Sequence, residues 1–383
     1  MQSILSKNIL MIAGEVSGDM HGASLITELK KTDSDINIFG IGGDKMQAAG
    51  LQLEYHINKL AFLGFAEVIK HIPFVKKVQR ELIQLVKQKN ISLAVLIDYP
   101  GFNLSIAKKL KALGIKIVYF ISPQIWAWGA GRINKIKQLV DKMLVILPFE
   151  KKIFEDAEVP VEFVGHPLLD RINEQQLLSR KELDKKFNLE PGKEILLILS
   201  GSRNNEVQKI FPAAVQAAEK LAEEFNLQII TACADNINEQ LFYSLANVKN
   251  FKVVKNNIYD FMNHAKFGII KSGTSTLEAG LLQLPMLIVY KTTYLTYLIG
   301  KNLVKLKNIG LANIVAGETV VPELIQDEVT VDKIYSEAKK ILDDKNYYAS
   351  VKEKLGRIKS LLGEKGASKR AAKSIYSLMM NEV

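Results

Sequence analysis

Phe267-Gly-Ile-Ile-Lys271 runs directly into Ser272-Gly-Thr-Ser-Thr-Leu-Glu278-Ala-Gly280. The first five residues read as a buried strand, Ser272–Thr274 as a small-residue turn, and the rest as the opening of a helix. A strand feeding a helix through a tight turn is half of a βαβ unit, the building block of a parallel sheet. The helix N-terminus presents free N–H groups and a partial positive charge, which suits a diphosphate. Glu278 lies one turn further in, where a carboxylate can accept hydrogen bonds from a ribose. An apolar strand follows, then Asn313-Ile-Val-Ala-Gly317 and Gln326. The same turn could equally serve packing alone.

Outward from this stretch the βα alternation covers the whole chain. Upstream, strands are expected at Asn8–Ala13, Ile36–Ile41, Leu93–Asp98, Ile115–Ile121, Met143–Leu147 and Val161–Val164. Val75, Val78, Leu82 and Leu85 recur between them at helical spacing, as do Ile106, Leu110 and Leu113. After a polar stretch from Asp170 to Lys193 containing Pro191-Gly192, the pattern restarts. Strands are then expected at Ile195–Ser200, Leu227–Thr231, Phe251–Val254, Phe267–Lys271 and Pro285–Tyr290. The fold class is therefore α/β, with two Rossmann-like, doubly wound parallel domains. Residues 1–170 form the first, 171–193 the connection, and 194–330 the second. A helical Lys/Ala-rich segment, 331–383, is free to pack on either. Two such halves joined once place a ligand at the carboxyl ends of their strands.

Composition narrows the function classes. The net charge of +10, from 51 basic and 41 acidic residues, attracts phosphorylated or lipid anions. The lysines are dispersed, and no helix-turn-helix, zinc finger or aromatic RNA-binding signature is present, so nucleic acid ranks last. Cys233 is the only cysteine; it reads as a core residue and fits a reducing compartment. The five histidines form no HxxxH pair, so no metal site is expected. No apolar run is long enough to span a bilayer, and Met1–Lys7 does not read as a signal peptide.

Five loops could carry chemistry. Ala13–Asp19 is glycine-rich yet neither GxGxxG nor Walker A, which disfavours a dinucleotide. Glu15, Ser17 and Asp19 make it polar beyond the needs of packing, although Ser17 or Asp19 could be a helix cap. Asp98 ends an apolar strand and is a candidate general base; Asn103 is the better cap for the helix that follows. Ile121–Gly129, with Arg132 beyond it, holds both tryptophans, Trp126 and Trp128, as core anchors or as contacts to sugar or lipid. Val164–Pro167 carries His166, which reads as a structural hydrogen-bonding residue. Leu199–Glu206 offers Ser202 and Arg203, a cationic fork for a diphosphate, unless Arg203 is tied to Glu206. Separately, Leu60–Lys77 concentrates apolar side chains among Lys70, Lys76 and Lys77, as core or as a lipid-facing patch.

Taken in order, GEVSGD, GFAEV, IDYPGFN, SPQIWAW, LPFE, VGHP, SGSRxxE, SGTSTLE, ANIVAG and VPELIQ resemble the lipid-A-disaccharide synthase family over essentially the whole chain. The chain departs from the family at Ala312, often Pro, and at Glu318, often Arg. Gly101 replaces the second acidic residue of the DxPDFN form, which leaves Asp98 as the candidate base.

The resemblance implies an inverting GT-B glycosyltransferase. It would move 2,3-diacylglucosamine from its UDP donor to the 6-hydroxyl of 2,3-diacylglucosamine 1-phosphate (lipid X), giving a β-1,6 disaccharide 1-phosphate and UDP. It implies work at the cytoplasmic face of the inner membrane by peripheral contact with anionic lipid, no cofactor or metal, and leaves self-association open. Asp98 would be the base, with Glu15, Ser17 and Asp19 orienting it or the acceptor. Ser202, Arg203, Ser272, Gly273 and Thr274 would face the diphosphate, Glu278 the ribose, with Asn313 and Gln326 completing the donor pocket. The rivals are another UDP-hexosamine enzyme of this architecture, a non-catalytic nucleotide sensor or membrane adaptor, and an NAD-dependent oxidoreductase.

Overall fold

A computed structural model describes residues 7–59, 68–126, 130–293 and 307–380. The chain divides into two compact units, Met1–Asp170 with Leu362–Val383, and Arg171–Leu361.

The first unit is built on a 7-stranded sheet. Its strands are β1 (Asn8–Ala13), β2 (Asn37–Gly42), β3 (Leu51–His56), β4 (Leu93–Ile97), β5 (Lys116–Phe120), β6 (Lys142–Val145) and β7 (Val161–Phe163). All are parallel, in the order β3-β2-β1-β4-β5-β6-β7. The central strands are buried on both faces, so β4 reads as an unbroken apolar run, Leu-Ala-Val-Leu-Ile. The direction of strand addition reverses between β1 and β4. Loops leaving the carboxyl ends of those two strands diverge, and the crevice left there is where such folds take ligands.

The second unit repeats the plan with a 6-stranded parallel sheet. It comprises β8 (Glu194–Leu199), β9 (Leu227–Ala232), β10 (Phe251–Val254), β11 (Ala265–Lys271), β12 (Met286–Tyr290) and β13 (Glu323–Ile325). Their order is β10-β9-β8-β11-β12-β13, so the switch point lies between β8 and β11. Phe267–Gly280 forms most of β11 and of the helix Thr274–Leu281 that follows it.

Two strands were not expected. β3 mixes Gln52 and Glu54 among its apolar residues, as suits an edge with one wet face. β13 is only 3 residues long, below the length at which alternation can be read.

The division of the chain also differs from expectation at two places. Residues 171–193 fold into the second unit rather than connecting. Ser179 and Glu182 form a capping box for the helix Arg180–Phe187, and Leu178 N–H donates to Asp260 at 2.6 Å. The helical segment from 331 onward is split. Helices Val331–Asp343 and Lys345–Leu361 belong to the second unit, while Ala367–Met380 belongs to the first. Asp170 accepts from Gly366 N (2.6 Å) and Ala367 N (3.1 Å) at the start of that last helix. Arg370 Nε donates to Val164 O at 2.8 Å and Ser374 Oγ to Glu162 at 2.8 Å. The last helix also packs along Val16–Thr32.

Cys233 is buried, as expected. No helix among the described residues is long and apolar enough to cross a membrane. Of the apolar segment around Phe62 to Val75, residues 62–67 and the side chains of 68–71 lie outside the described residues. Of its described side chains, Phe74 and Val75 pack on the core, Phe74 edge-on to Tyr55, while Ile72 is exposed.

Candidate active site

At the first switch point, β4 stops at Ile97, one residue earlier than expected. Asp98 (φ +45°) and Tyr99 (φ +47°) both take left-handed backbone conformations. Such conformations cost on the order of 1 kcal/mol or more per residue and concentrate at functional sites. Here the kink is fixed on every side. Asn103 Nδ2 donates to Ile97 O (3.1 Å) and Asp98 O (2.7 Å), and Tyr119 OH donates to Asp98 O at 2.6 Å. Asp98 N–H donates to Phe120 O at 3.1 Å. Asn103 is therefore not the helix cap. Tyr99 occupies that position with Pro100 behind it, and Asn103 reaches back from inside the first turn.

The bends leave the Asp98 carboxyl at the strand end, largely out of water. Burial and the nearby Glu15 carboxylate push it up to about 6, with the Tyr99 amide pulling the other way. Glu15 and Ser17 are exposed at the start of the helix Val16–Thr32. The structure thus brings Glu15 and Asp98 together.

Asp19 is different. It is 4% exposed and accepts from Gly43 N (2.7 Å), Met46 N (2.9 Å) and Lys45 N (3.2 Å). It caps the helix Asp44–Ala48 rather than its own helix. The expectation that it orients the acceptor or Asp98 is corrected: both carboxylate oxygens are engaged by backbone. Ser17 makes no cap either.

Beyond β5 a second strained bend sets the tryptophan loop. Ile121 has φ +65°, an outlier for a β-branched residue. Glu150, 2% exposed, accepts from Ser122 Oγ (2.6 Å), Trp126 Nε1 (3.0 Å) and Leu147 N (3.2 Å). Burial drives its carboxyl up to about 7 against those three donors. Trp126 packs edge-on to Phe149 at 5.2 Å and so has the anchor role; Trp128 lies outside the described residues. His166 is 5% exposed, and its Nδ1 accepts from Leu168 N at 3.1 Å, the structural role expected.

At the second switch point, β8 and β11 are hydrogen-bonded neighbours, with Leu199 opposite Ile270. The loop Ser200–Glu206 and the turn Lys271–Thr274 therefore leave the sheet side by side. Glu206 does not pair with Arg203. Its Oε2 accepts from Ser202 N at 3.1 Å and its Oε1 pairs with Lys271 at 3.0 Å. Arg203 is exposed and has no carboxylate partner among the described residues. Gly273, at φ +157° and ψ −164°, caps the helix in a region essentially reserved for glycine. Thr274 is exposed at the helix start, while Ser272 Oγ donates to Ile309 O at 2.9 Å.

Glu278 lies one turn along. Its Oε1 accepts from Arg171 Nη2 and from Tyr259 OH (2.7 Å). Oε2 takes no hydrogen bond among the described residues. Arg171 also lies over the Tyr259 ring at 5.5 Å.

Asn313 and Gln326 are held by loop residues. Asn313 is 0% exposed. Its Nδ2 donates to Val321 O (2.8 Å) and Glu323 Oε1 (2.7 Å), and its Oδ1 accepts from Val320 N (2.8 Å) and Val321 N (3.1 Å). That fills the capacity of a carboxamide. Gln326 Oε1 accepts from Thr292 N at 2.6 Å and its Nε2 donates back to Thr292 O at 3.4 Å. Both residues brace loops.

Sequence reasoning missed Tyr259, Arg171 and Glu323, whose partners are remote in sequence, and it gave no role to Lys271 or Glu150. For Lys271, Glu150 and Glu323 a signal was available, since each sits in a motif already singled out.

The chain matches the model of the lipid-A-disaccharide synthetase family over residues 9–376. It is 39% identical to the lipid-A-disaccharide synthase of Geobacter sulfurreducens over 381 residues, 99% of each chain. It is also 39% identical to that of Coxiella burnetii, covering 98% of this chain and 100% of the relative. Among solved structures it is similar to a UDP-GlcNAc 2-epimerase from Neisseria meningitidis bound to UDP-GlcNAc (TM-score 0.67, 14% identity, 97% of this chain and 100% of that one). The calicheamicin glycosyltransferase CalG4 is similar too (TM-score 0.64, 15% identity, 98% and 99% covered). At those identities the structural likeness establishes the fold, which is of GT-B type.

Proposed function

The chain belongs to the lipid-A-disaccharide synthetase family and is a glycosyltransferase of lipid A biosynthesis; from that premise we propose its substrates and the residues that act on them. The donor is UDP-2,3-diacylglucosamine and the acceptor lipid X, joined through the acceptor 6-hydroxyl with inversion at the anomeric carbon. The observation that carries the chemical part is Asp98, a carboxylate held in a strained bend at a switch point with its proton affinity raised.

Asp98 takes the proton of the acceptor hydroxyl as that oxygen bonds to the anomeric carbon. The bond from that carbon to the diphosphate oxygen breaks on the opposite face, and its electron pair leaves with UDP. General-base assistance of this kind is worth roughly 10²–10⁴-fold. Glu15 acts through its charge, keeping Asp98 basic. Arg203 and the Ser272–Thr274 turn face the diphosphate, where fixed donors stabilise the developing charge. Glu278, oriented by Arg171 and Tyr259, offers Oε2 to the ribose. Asp19, Asn103, Asn313 and Gln326 position these groups without touching substrate.

The reaction runs without metal or cofactor, at the cytoplasmic face of the inner membrane, with the acyl chains on the apolar segment near residues 62–75. Purified protein is incubated with UDP-diacylglucosamine and lipid X, with chelator, and products are read by mass spectrometry. A tetra-acylated disaccharide phosphate plus UDP is expected. Turnover of unacylated UDP-N-acetylglucosamine in its place would move the assignment to another UDP-hexosamine enzyme.

A further inference from the structure

We propose that Lys271 is a second cation for the donor's diphosphate, held by Glu206 until the donor arrives. The proposal rests on the reading of this switch point as the donor side. Lys271 is the last residue of β11, and its ammonium pairs with Glu206 Oε1 at 3.0 Å. The same ammonium stands 3.8 Å from the point where a Cβ on Gly273 would lie, at the N-cap of the helix Thr274–Leu281. That is the positive end of a helix, where a cation is disfavoured. Both side chains of the pair are largely withdrawn from water, 22% and 18% exposed, so each has lost hydration that their mutual attraction only partly returns.

As a brace for this loop the lysine duplicates a contact, and its other partner among the described residues is the Tyr290 ring, 5.8 Å away. Glu206 already holds the loop by accepting from Ser202 N, and it lies so close under Gly201 that an added Cβ would stand 2.5 Å from its Oε2. What the arrangement lacks is an anion. A diphosphate between the Arg203 loop and the helix start would receive Lys271 and Arg203 as well as the turn's N–H groups. It would turn the unfavourable placement of the ammonium into a favourable one. A second, independent sign is Ser200 Oγ. It is 0% exposed, lies at the carboxyl end of β8 and has no hydrogen-bond partner, a buried polar atom of the kind that a ligand or water completes.

The test compares the wild-type chain with Lys271→Gln and Lys271→Arg by titration calorimetry against UDP, UMP and uridine. Glutamine keeps a donor toward Glu206 without the charge; arginine keeps the charge. Lys271→Gln is expected to weaken UDP binding about 10- to 100-fold, as loss of a charged hydrogen bond does, with uridine within about twofold and Lys271→Arg largely restoring UDP. Equal losses for UDP and uridine, or rescue by glutamine as complete as by arginine, would reduce Lys271 to a brace and overturn the proposal. Unchanged UDP binding in Lys271→Gln would overturn it while leaving the donor reading intact. A wild-type chain that fails to prefer UDP over uridine would overturn the donor reading and this proposal with it.

Discussion

The ring of Tyr99 occupies the space that a side chain on Gly14 would need: a Cβ there would stand 2.2 Å from Cγ and Cδ1 of the tyrosine. Gly14 directly follows β1 and Tyr99 follows Asp98, so the two loops of the first switch point interlock at this contact. Gly14→Ala must displace the ring and, with it, the left-handed pair that presents Asp98. Overpacking of this kind costs about 1–3 kcal/mol. The expected outcome is a lowered melting temperature together with a fall in turnover larger than the stability loss explains. Turnover unchanged at a temperature where the variant is folded would show that the Tyr99 ring does not set the position of Asp98.

Asp98 also links activity and stability to pH in opposite senses. Its folded-state carboxyl titrates at about 6, above the ordinary 3.8. Below the ordinary value both states are protonated and there is no penalty. As pH rises through about 6, the folded state must hold a charge that the unfolded chain solvates better. Stability therefore falls across that window, and Asp98→Asn gains on the order of 2 kcal/mol above it and nothing below. Turnover runs the other way, rising as the base ionises, and Asp98→Asn loses about 10²–10⁴-fold. Urea unfolding at pH 4 and pH 7.5, with rates over the same range, checks both signs.

The contrast between Asp98 and Asp19 explains what was legible in the sequence. Both are acidic residues in polar loops after apolar strands. The doubly wound sheets could be read because buried parallel strands are continuous apolar runs. The loops of the switch points could be read because glycine and polar residues cluster after those runs. The fate of each polar side chain could not. Asp19 is taken by amides at 43–46 and Asn313 by groups at 320–323, partners that only the folded chain supplies. Glu206 likewise looked like a partner for Arg203, three residues away, and instead pairs with Lys271. Helical spacing could suggest the first pair but had no means of showing the second.

Asn313→Ala separates bracing from binding. The substitution strips Glu323 of one donor, leaves the Val321 amide without an acceptor and leaves the Val320 amide only Glu318 O, at 3.1 Å, in a fully buried site. Each such loss costs about 1–3 kcal/mol. A large drop in the urea midpoint is expected, with donor affinity of the folded fraction changed less than threefold, as near-neutral effects are. A stable variant that has lost UDP affinity would return Asn313 to the donor pocket.

Arg203→Ala tests the diphosphate directly. The guanidinium is exposed and bound to no carboxylate among the described residues, so its removal leaves no buried charge behind. Stability should change by less than about 0.5 kcal/mol, whereas UDP affinity should fall about 10- to 100-fold. Competition binding with UDP and a thermal melt read the two effects. Unchanged UDP affinity would place the diphosphate away from this loop.

Glu150 offers an optical test, because its carboxyl is the acceptor for the Trp126 indole N–H. Burial raises its pKa to about 7, so the carboxyl is neutral in mildly acidic solution and becomes charged as pH passes through 7. The penalty for that buried charge is absent at low pH and present at high pH, and the strained loop 121–126 hangs from the same group. With Trp128→Phe leaving a single tryptophan, fluorescence should shift with a midpoint near 7, and Glu150→Gln should abolish the shift. Glu150→Gln should also gain stability relative to the parent as pH rises from the ordinary 4.5 to about 7, and keep that gain above it, since the amide avoids the charge while keeping an acceptor for Ser122 and Trp126. A shift that persists in Glu150→Gln would assign it to a different group.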